Sequence, residues 1–155
     1  APNERLAAME LVPLGEDQAP EAIARDAEGR LYAATEQGWI VRLDSAGAQP
    51  TRWANTEGRP LGMAFDSAGT LWVADGRRGL LAISPEGVVR VAAVTTAAGD
   101  TIRYADDVDV ARDGRVYFSD ATTKFYPPAF DGLEASLLEI IEHRGNGRLL
   151  EHDPR

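Results

Sequence analysis

Three copies of one hairpin, spaced 40 and 45 residues apart by their turn glycines Gly29, Gly69 and Gly114, predict an all-β chain. That period, with short strands, is the spacing of a β-propeller of four-stranded blades. An aromatic residue, Tyr32, Trp72 or Tyr117, follows each of these glycines at the same offset. Two further strand patterns trail each of the first two hairpins. The expected architecture is therefore three blades per chain, half of a six-bladed propeller, forming a single half-propeller domain over residues 1–155.

Each element has a local reason. The first hairpin reads Ala22-Ile23-Ala24-Arg25-Asp26-Ala27-Glu28-Gly29-Arg30-Leu31-Tyr32-Ala33-Ala34, an apolar strand, a turn and a second strand. The second and third hairpins repeat it through Asp66-Ser67-Ala68-Gly69 and Arg112-Asp113-Gly114. Glycine supplies the positive φ that closes a tight turn, and the preceding aspartates suit turn capping. The recurring aromatics are expected to pack between neighbouring blades. Residues 39–44 and 51–54 complete the first blade around the turn Ser45-Ala46-Gly47. Residues 79–84 and 88–94 complete the second around Pro85-Glu86-Gly87. The blades then cover about 20–54, 61–94 and 107–152.

The third blade departs from the pattern with an insertion over 121–146. Asp131 can cap a helix over 132–143, on which Leu133, Leu137, Leu138, Ile140 and Ile141 recur at helical spacing, and Gly145 can end it. The third strand resumes over 148–152, and residues 8–14 are the candidate for the missing fourth. Three blades would leave two open faces, so a homodimer, or a second half-chain, is expected to complete six blades.

Composition excludes several classes. The net charge of −9 and the lack of a basic stripe argue against nucleic acid as a partner. Arg77-Arg78, the longest basic cluster, reads as a solvated loop. No apolar run approaches the roughly 20 residues of a membrane span, so this segment is not expected to insert in a membrane. Without cysteine there is no disulfide and no thiolate zinc site. The opening Ala1-Pro2-Asn3 resembles a processed start, which leaves room for an upstream signal or anchor and a periplasmic or secreted location.

Several stretches together resemble the strictosidine synthase-like proteins, relatives of the gluconolactonase, regucalcin and paraoxonase propellers. They are Pro20-Glu21-Ala22-Ile23-Ala24-Arg25-Asp26, Gly58-Arg59-Pro60-Leu61-Gly62-Met63-Ala64-Phe65-Asp66, Val73-Ala74-Asp75 with Gly79-Leu80-Leu81, Tyr104-Ala105-Asp106-Asp107-Val108-Asp109, Phe118-Ser119-Asp120-Ala121 with Lys124-Phe125, and Gly147-Arg148-Leu149-Leu150. The resemblance spans nearly the whole chain and about the first half of a typical member. It implies a six-bladed propeller with its site at the mouth of the central channel. In hydrolytic relatives a divalent cation, calcium above all, is held there by Glu, Asn or Asp at the starts of innermost strands. Glu21 and Asp106 fall at such positions; Leu61 falls at another and cannot ligate. The glutamate of the plant synthase belongs to the second half of the family's chain, so C–N bond formation would need a glutamate from elsewhere.

The residues themselves support an acidic mouth. The start of a hairpin's first strand and the end of its second share one edge, which groups Glu21, Asp106 and Asp107 with Glu36, Asp75 and Asp120. Oxygen donors suit calcium or magnesium, and clustered carboxylates raise one another's pKa. The plainer alternative is that these acids accept backbone N–H bonds at turns, the expected role for Asp26, Asp66 and Asp113. Metal ligands are expected at Glu21 and Asp106, with Asp107, Asp75 and Asp120 in a second tier. His143 and His152 have no metal-ligand spacing, and neither a Gly-x-Ser-x-Gly elbow nor a phosphate loop is present. The leading expectation is a divalent-metal-dependent hydrolase of lactones or esters acting on a small molecule. A non-catalytic propeller half serving as an interaction module is the alternative, and a C–N bond-forming synthase the third.

Overall fold

A computed structural model describes residues 11–44, 49–130 and 132–155. Three antiparallel sheets follow one another along the chain. The first contains β1 (Ile23–Arg25), β2 (Leu31–Ala34), β3 (Trp39–Leu43) and β4 (Thr51–Asn55) in sequential order. The second repeats that order with β5 (Pro60–Phe65), β6 (Leu71–Asp75), β7 (Gly79–Ile83) and β8 (Val89–Ala93). The third has β9 (Ala105–Val110), β10 (Val116–Asp120) and, after the helix α1 (Gly132–Glu142), β11 (Arg148–His152) on the far side of β10. These are three successive propeller blades.

The turn chemistry is the one the repeat implies. Gly29, Gly69 and Gly114 have φ of 87°, 82° and 87°, a region that strains any residue with a Cβ. In the first two turns the aspartate is shared between backbone and aromatic. Asp26 accepts the Arg30 N–H and the Tyr32 hydroxyl, and Asp66 accepts the Thr70 N–H and the Trp72 indole N–H. Asp113 instead holds Arg115. All three aspartates are thus turn groups.

Strand alternation divides each sheet into two faces. Tyr32, Ala34 and Ile40 of the first sheet meet Leu71, Val73, Leu81 and Ile83 of the second. The intervening residues of the second sheet, Trp72, Ala74, Leu80 and Ala82, meet Val108, Val116 and Phe118 of the third. Every residue of β6 and β7 is buried, so the middle blade is the centre of the fold. Tyr32 packs edge-on against Trp53 and Phe65, and Trp72 lies against His152 of the third blade. Tyr117 occupies the same slot in the third blade but carries only Arg115 over its ring.

Two elements differ from expectation. Residues 11–14, the described end of the strand expected over 8–14, join no sheet, and the third sheet has three strands among the described residues. Residues 8–10, the Ser45-Ala46-Gly47 turn and the Asp131 cap lie outside the described residues. The helix ends at Glu142, where His143 rather than Gly145 takes a positive φ of 54°. Its apolar row is not its buried face. Ala135 is the buried residue, while Leu133, Leu137, Ile140 and Ile141 are exposed. The inner face is polar: Glu139 accepts from Thr122 and Asn146, and Glu142 accepts from Lys124 and Asn146.

Candidate active site at the channel mouth

Counting from the turn glycine brings equivalent residues of the three blades together. Glu21, Leu61 and Asp106 each stand eight places before it; Glu36, Gly76 and Ala121 stand seven places after it. All six line one open cavity of about 1150 Å³. The cause is the hairpin register, since the strands run in opposite directions and the two positions meet at one end. Backbone bonds tie that end together: the N–H groups of Gly76 and Ala121 donate to the carbonyls of Arg59 and Tyr104, at 2.9 and 2.8 Å.

Pairing slips by a register step beside two of these residues, between Pro60 and Met63 on β5 and opposite Phe118 and Asp120 on β9. Such bulges re-aim side chains that regular alternation would send elsewhere. Here they direct Leu61 and Asp106 into the cavity. They also let the first strands of adjacent blades approach closely: a Cβ on Gly62 would lie 2.5 Å from Asp107 Cα.

The expected site residues separate into two groups. Glu21 and Asp106 line the cavity together, with Glu36. Glu21 stands 3.6 Å from the guanidinium of Arg59. Burial pushes the Asp106 carboxyl above the usual carboxylate range, and the charges of Asp107 and Glu21 add to the shift. Tyr104 is likewise pushed above its ordinary value, by burial first and then by Asp106.

Asp75, Asp120 and Asp107 do not line the cavity. Asp75 is fully buried and its Oδ1 accepts the N–H groups of Arg59, Arg77 and Arg78 at 2.9, 2.9 and 3.0 Å. Asp120, also fully buried, accepts the N–H groups of Arg103 and Tyr104 and pairs with Arg148 at 2.5 Å. Both therefore brace the loops that carry the mouth residues. Thr35 fills the same slot in the first blade and donates to the Trp39 carbonyl. Asp107 is exposed and accepts the neighbouring Val108 N–H.

Residues not assigned as ligands from the sequence complete the wall. Arg59, Arg77, Arg103 and Tyr104 face the cavity, and the insertion adds Pro127, Pro128, Phe130 and Leu133. Arg77 is thus part of the mouth, not only a solvated loop. Arg59 and Tyr104 stand at one repeat position, two places before Leu61 and Asp106. Aligning the blades on that position would have found them.

The carboxylates at the mouth are hard oxygen donors. Calcium takes six to eight oxygens. The first blade presents Glu21 and Glu36, the third presents Asp106, the middle blade presents Leu61, and Arg59 already faces Glu21. Among the described residues no group of three or more His, Asp or Glu is placed to hold a metal ion. Glu21 and Asp106 are oxygen donors of the type a divalent cation takes, but two carboxylates are fewer than such an ion needs.

Comparison with known proteins decides the family. Residues 1–43 match the family model described as "Strictosidine synthase-like, N-terminal". Two Arabidopsis thaliana proteins, STRICTOSIDINE SYNTHASE-LIKE 7 and 4, are 36% and 37% identical over 98% of this chain. The chain belongs to the strictosidine synthase-like family. It spans 41% of the length of those two relatives. A human protein named adipocyte plasma membrane-associated protein is 30% identical over 98% of this strictosidine synthase-like chain, which spans 38% of it. Among solved structures, a Xanthomonas campestris gluconolactonase superposes with a TM-score of 0.62 at 23% identity, over 73% of this chain and 39% of its own. A streptogramin B lyase superposes with a TM-score of 0.58 at 13% identity, over 90% of this chain and 42% of its own. At these identities the structural likeness establishes the propeller fold of the strictosidine synthase-like chain alone.

Proposed function

We propose that this strictosidine synthase-like chain forms part of the catalytic mouth of a divalent-metal-dependent hydrolase of lactones or esters. The observation that carries the reading is the convergence of Glu21 and Asp106, from equivalent positions of two blades, on one cavity beside Arg59 and Tyr104. The gluconolactonase with the same blade architecture supports the substrate class. Further blades, from a second copy of this chain or from another polypeptide segment, would complete the ring and the ligand set.

Glu21 and Asp106 would hold the cation. When bound, the cation supplies Lewis acidity toward the substrate carbonyl. Arg59 fixes the orientation of Glu21. Tyr104, a phenol protonated at neutral pH, presents an O–H donor into the mouth. The insertion, anchored through Glu139 and Glu142, covers one side with Pro127, Phe130 and Leu133 and limits access of bulk water.

Hydrolysis of a panel of lactones and aryl esters by the intact protein, with calcium and with chelator, tests this reading. Glu21→Gln and Asp106→Asn should each lower kcat/KM by about 100-fold or more, the several kcal/mol a metal contributes to such a transition state. Unchanged turnover in Glu21→Gln rejects the assignment. A second reading, a non-catalytic binding propeller, draws on Leu61 at the middle position and on the Arg59 charge already facing Glu21. A protein that binds small molecules at the mouth but turns over none of the panel would favour it.

A further inference from the structure

The mouth carries more positive charge than the holding of a cation calls for. Arg59, Arg77 and Arg103 all line it, in a chain whose net charge is −9. Arg59 stands 3.6 Å from Glu21. The other two arginines share the cavity with Glu36 and Asp106 but form no ion pair within 4 Å among the described residues. Arg77 leaves β6 through the turn that Asp75 holds by its N–H groups, and its own side chain makes no ion pair or hydrogen bond among the described residues. The Arg103 guanidinium lies 4.7 Å from the centre of the Tyr126 ring. Such stacking positions the guanidinium without neutralising it.

Tyr104 adds a neutral donor. Its hydroxyl has no hydrogen-bond partner among the described residues, and it sits at the start of α1, where a Cβ on Gly132 would lie 3.2 Å away. The adjoining wall is apolar, with Phe130 held edge-on by Phe125 and Leu133 72% exposed. A single arginine on a loop is ordinarily just solvated. Two unpaired guanidinium groups and a free phenol around one concavity, next to an apolar wall, match a carboxylate attached to an apolar group.

We propose that the substrate of this mouth carries a carboxylate of its own, distinct from its reacting group, which docks on Arg77, Arg103 and the Tyr104 hydroxyl while an adjoining apolar group packs on Phe130 and Leu133. This rests on the mouth being the substrate site and is independent of whether the chemistry there is hydrolysis.

The isosteric pair 4-fluorobenzoate and 4-fluorobenzamide tests it, titrated into the intact protein and followed by ¹⁹F NMR. Benzoate should bind about tenfold more tightly than the amide, as expected for one charge-assisted contact, and that preference should shrink at high salt. Arg77→Gln together with Arg103→Gln should remove the preference. Both arginines are exposed, so the double variant should keep the wild-type near-ultraviolet dichroism, which verifies folding. Equal affinity for acid and amide, or a preference that survives the double substitution, overturns the proposal. Its failure is separable from that of the hydrolase. A wild-type protein that turns over no ester yet binds benzoate through these arginines loses the hydrolase and keeps the anion site; turnover lost in Glu21→Gln with no benzoate preference does the reverse.

Discussion

Asp75 and Asp120 show how one residue type at one repeat position is used for architecture. Each ends the second strand of its blade, is fully buried, and turns its carboxylate onto backbone N–H groups. Asp120 also meets Arg148, whose guanidinium reaches the Thr101 carbonyl at 2.8 Å. Removing the buried carboxylate leaves the N–H groups of Arg103 and Tyr104 without their acceptor and Arg148 with only the Asp100 carboxylate, 3.6 Å away. Asp120→Ala should therefore cost about 3–5 kcal/mol, read as a lower urea midpoint. A change below about 1 kcal/mol would mean the pair contributes no more than a surface one. Asp26 gives a pH test. Burial acts to raise its pKa, but the hydrogen bonds from Arg30 and Tyr32 outweigh it and the net value is lowered. A carboxyl depressed in the folded state stabilises above the unfolded value of about 3.9 and loses that contribution as pH falls through the folded value. Stability measured from pH 6 down to pH 2 should fall on this limb, and Asp26→Asn should flatten it. The turn role of Asp26 was legible because it depends on residues within one hairpin. The bracing role of Asp75 and Asp120 was open between two readings, because Asp120 and one of the three bonds to Asp75 depend on loops sixteen or more residues away.

At the scale of elements, the hairpins were legible and the bulges were not. A positive-φ glycine and a capping aspartate act locally, so Gly29, Gly69 and Gly114 located the turns. The register slips that bring Leu61 and Asp106 to the mouth accompany a close approach of the first strands of adjacent blades, and no single-residue preference announces them. Gly62 is their trace. Gly62→Ala places a methyl 2.5 Å from the Asp107 backbone and should destabilise by about 1–3 kcal/mol, as overpacking does, measured by thermal unfolding. The helix shows the converse error. Leu133, Leu137, Ile140 and Ile141 have core-like spacing, yet the contacts that hold α1 are those of Glu139 and Glu142 with Thr122, Lys124 and Asn146. Replacing Ile140 and Ile141 with glutamine should leave the melting temperature nearly unchanged, since neither buries a surface. Glu139→Ala should instead raise hydrogen exchange throughout α1, and unaltered exchange would show that Ala135 and Leu138 suffice to hold it.

The whole molecule is a stack in which the middle blade alone is covered on both faces. Amide exchange should therefore be slowest in β6 and β7 and faster in β1 and β11, because opening the middle blade requires opening both interfaces. Equal protection across the blades would mean that they unfold as one unit. Light scattering addresses how the ring is completed. A mass near twice 16.7 kDa is expected if a second copy supplies the remaining blades, and a mass near 16.7 kDa would reject that source. The recurring aromatics carry a consequence for any such assembly. Tyr32 reaches from the first blade to the second and Trp72 from the second to the third, so each blade has a donor side and an acceptor side. Tyr117 projects the donor side of the third blade. The stack is thus a vector, and vectors close only nose to tail. Two copies set mirror-fashion, acceptor side to acceptor side, would leave Tyr117 of each without a socket, so a two-chain ring must contain two identical junctions, each joining one copy's third blade to the other's first.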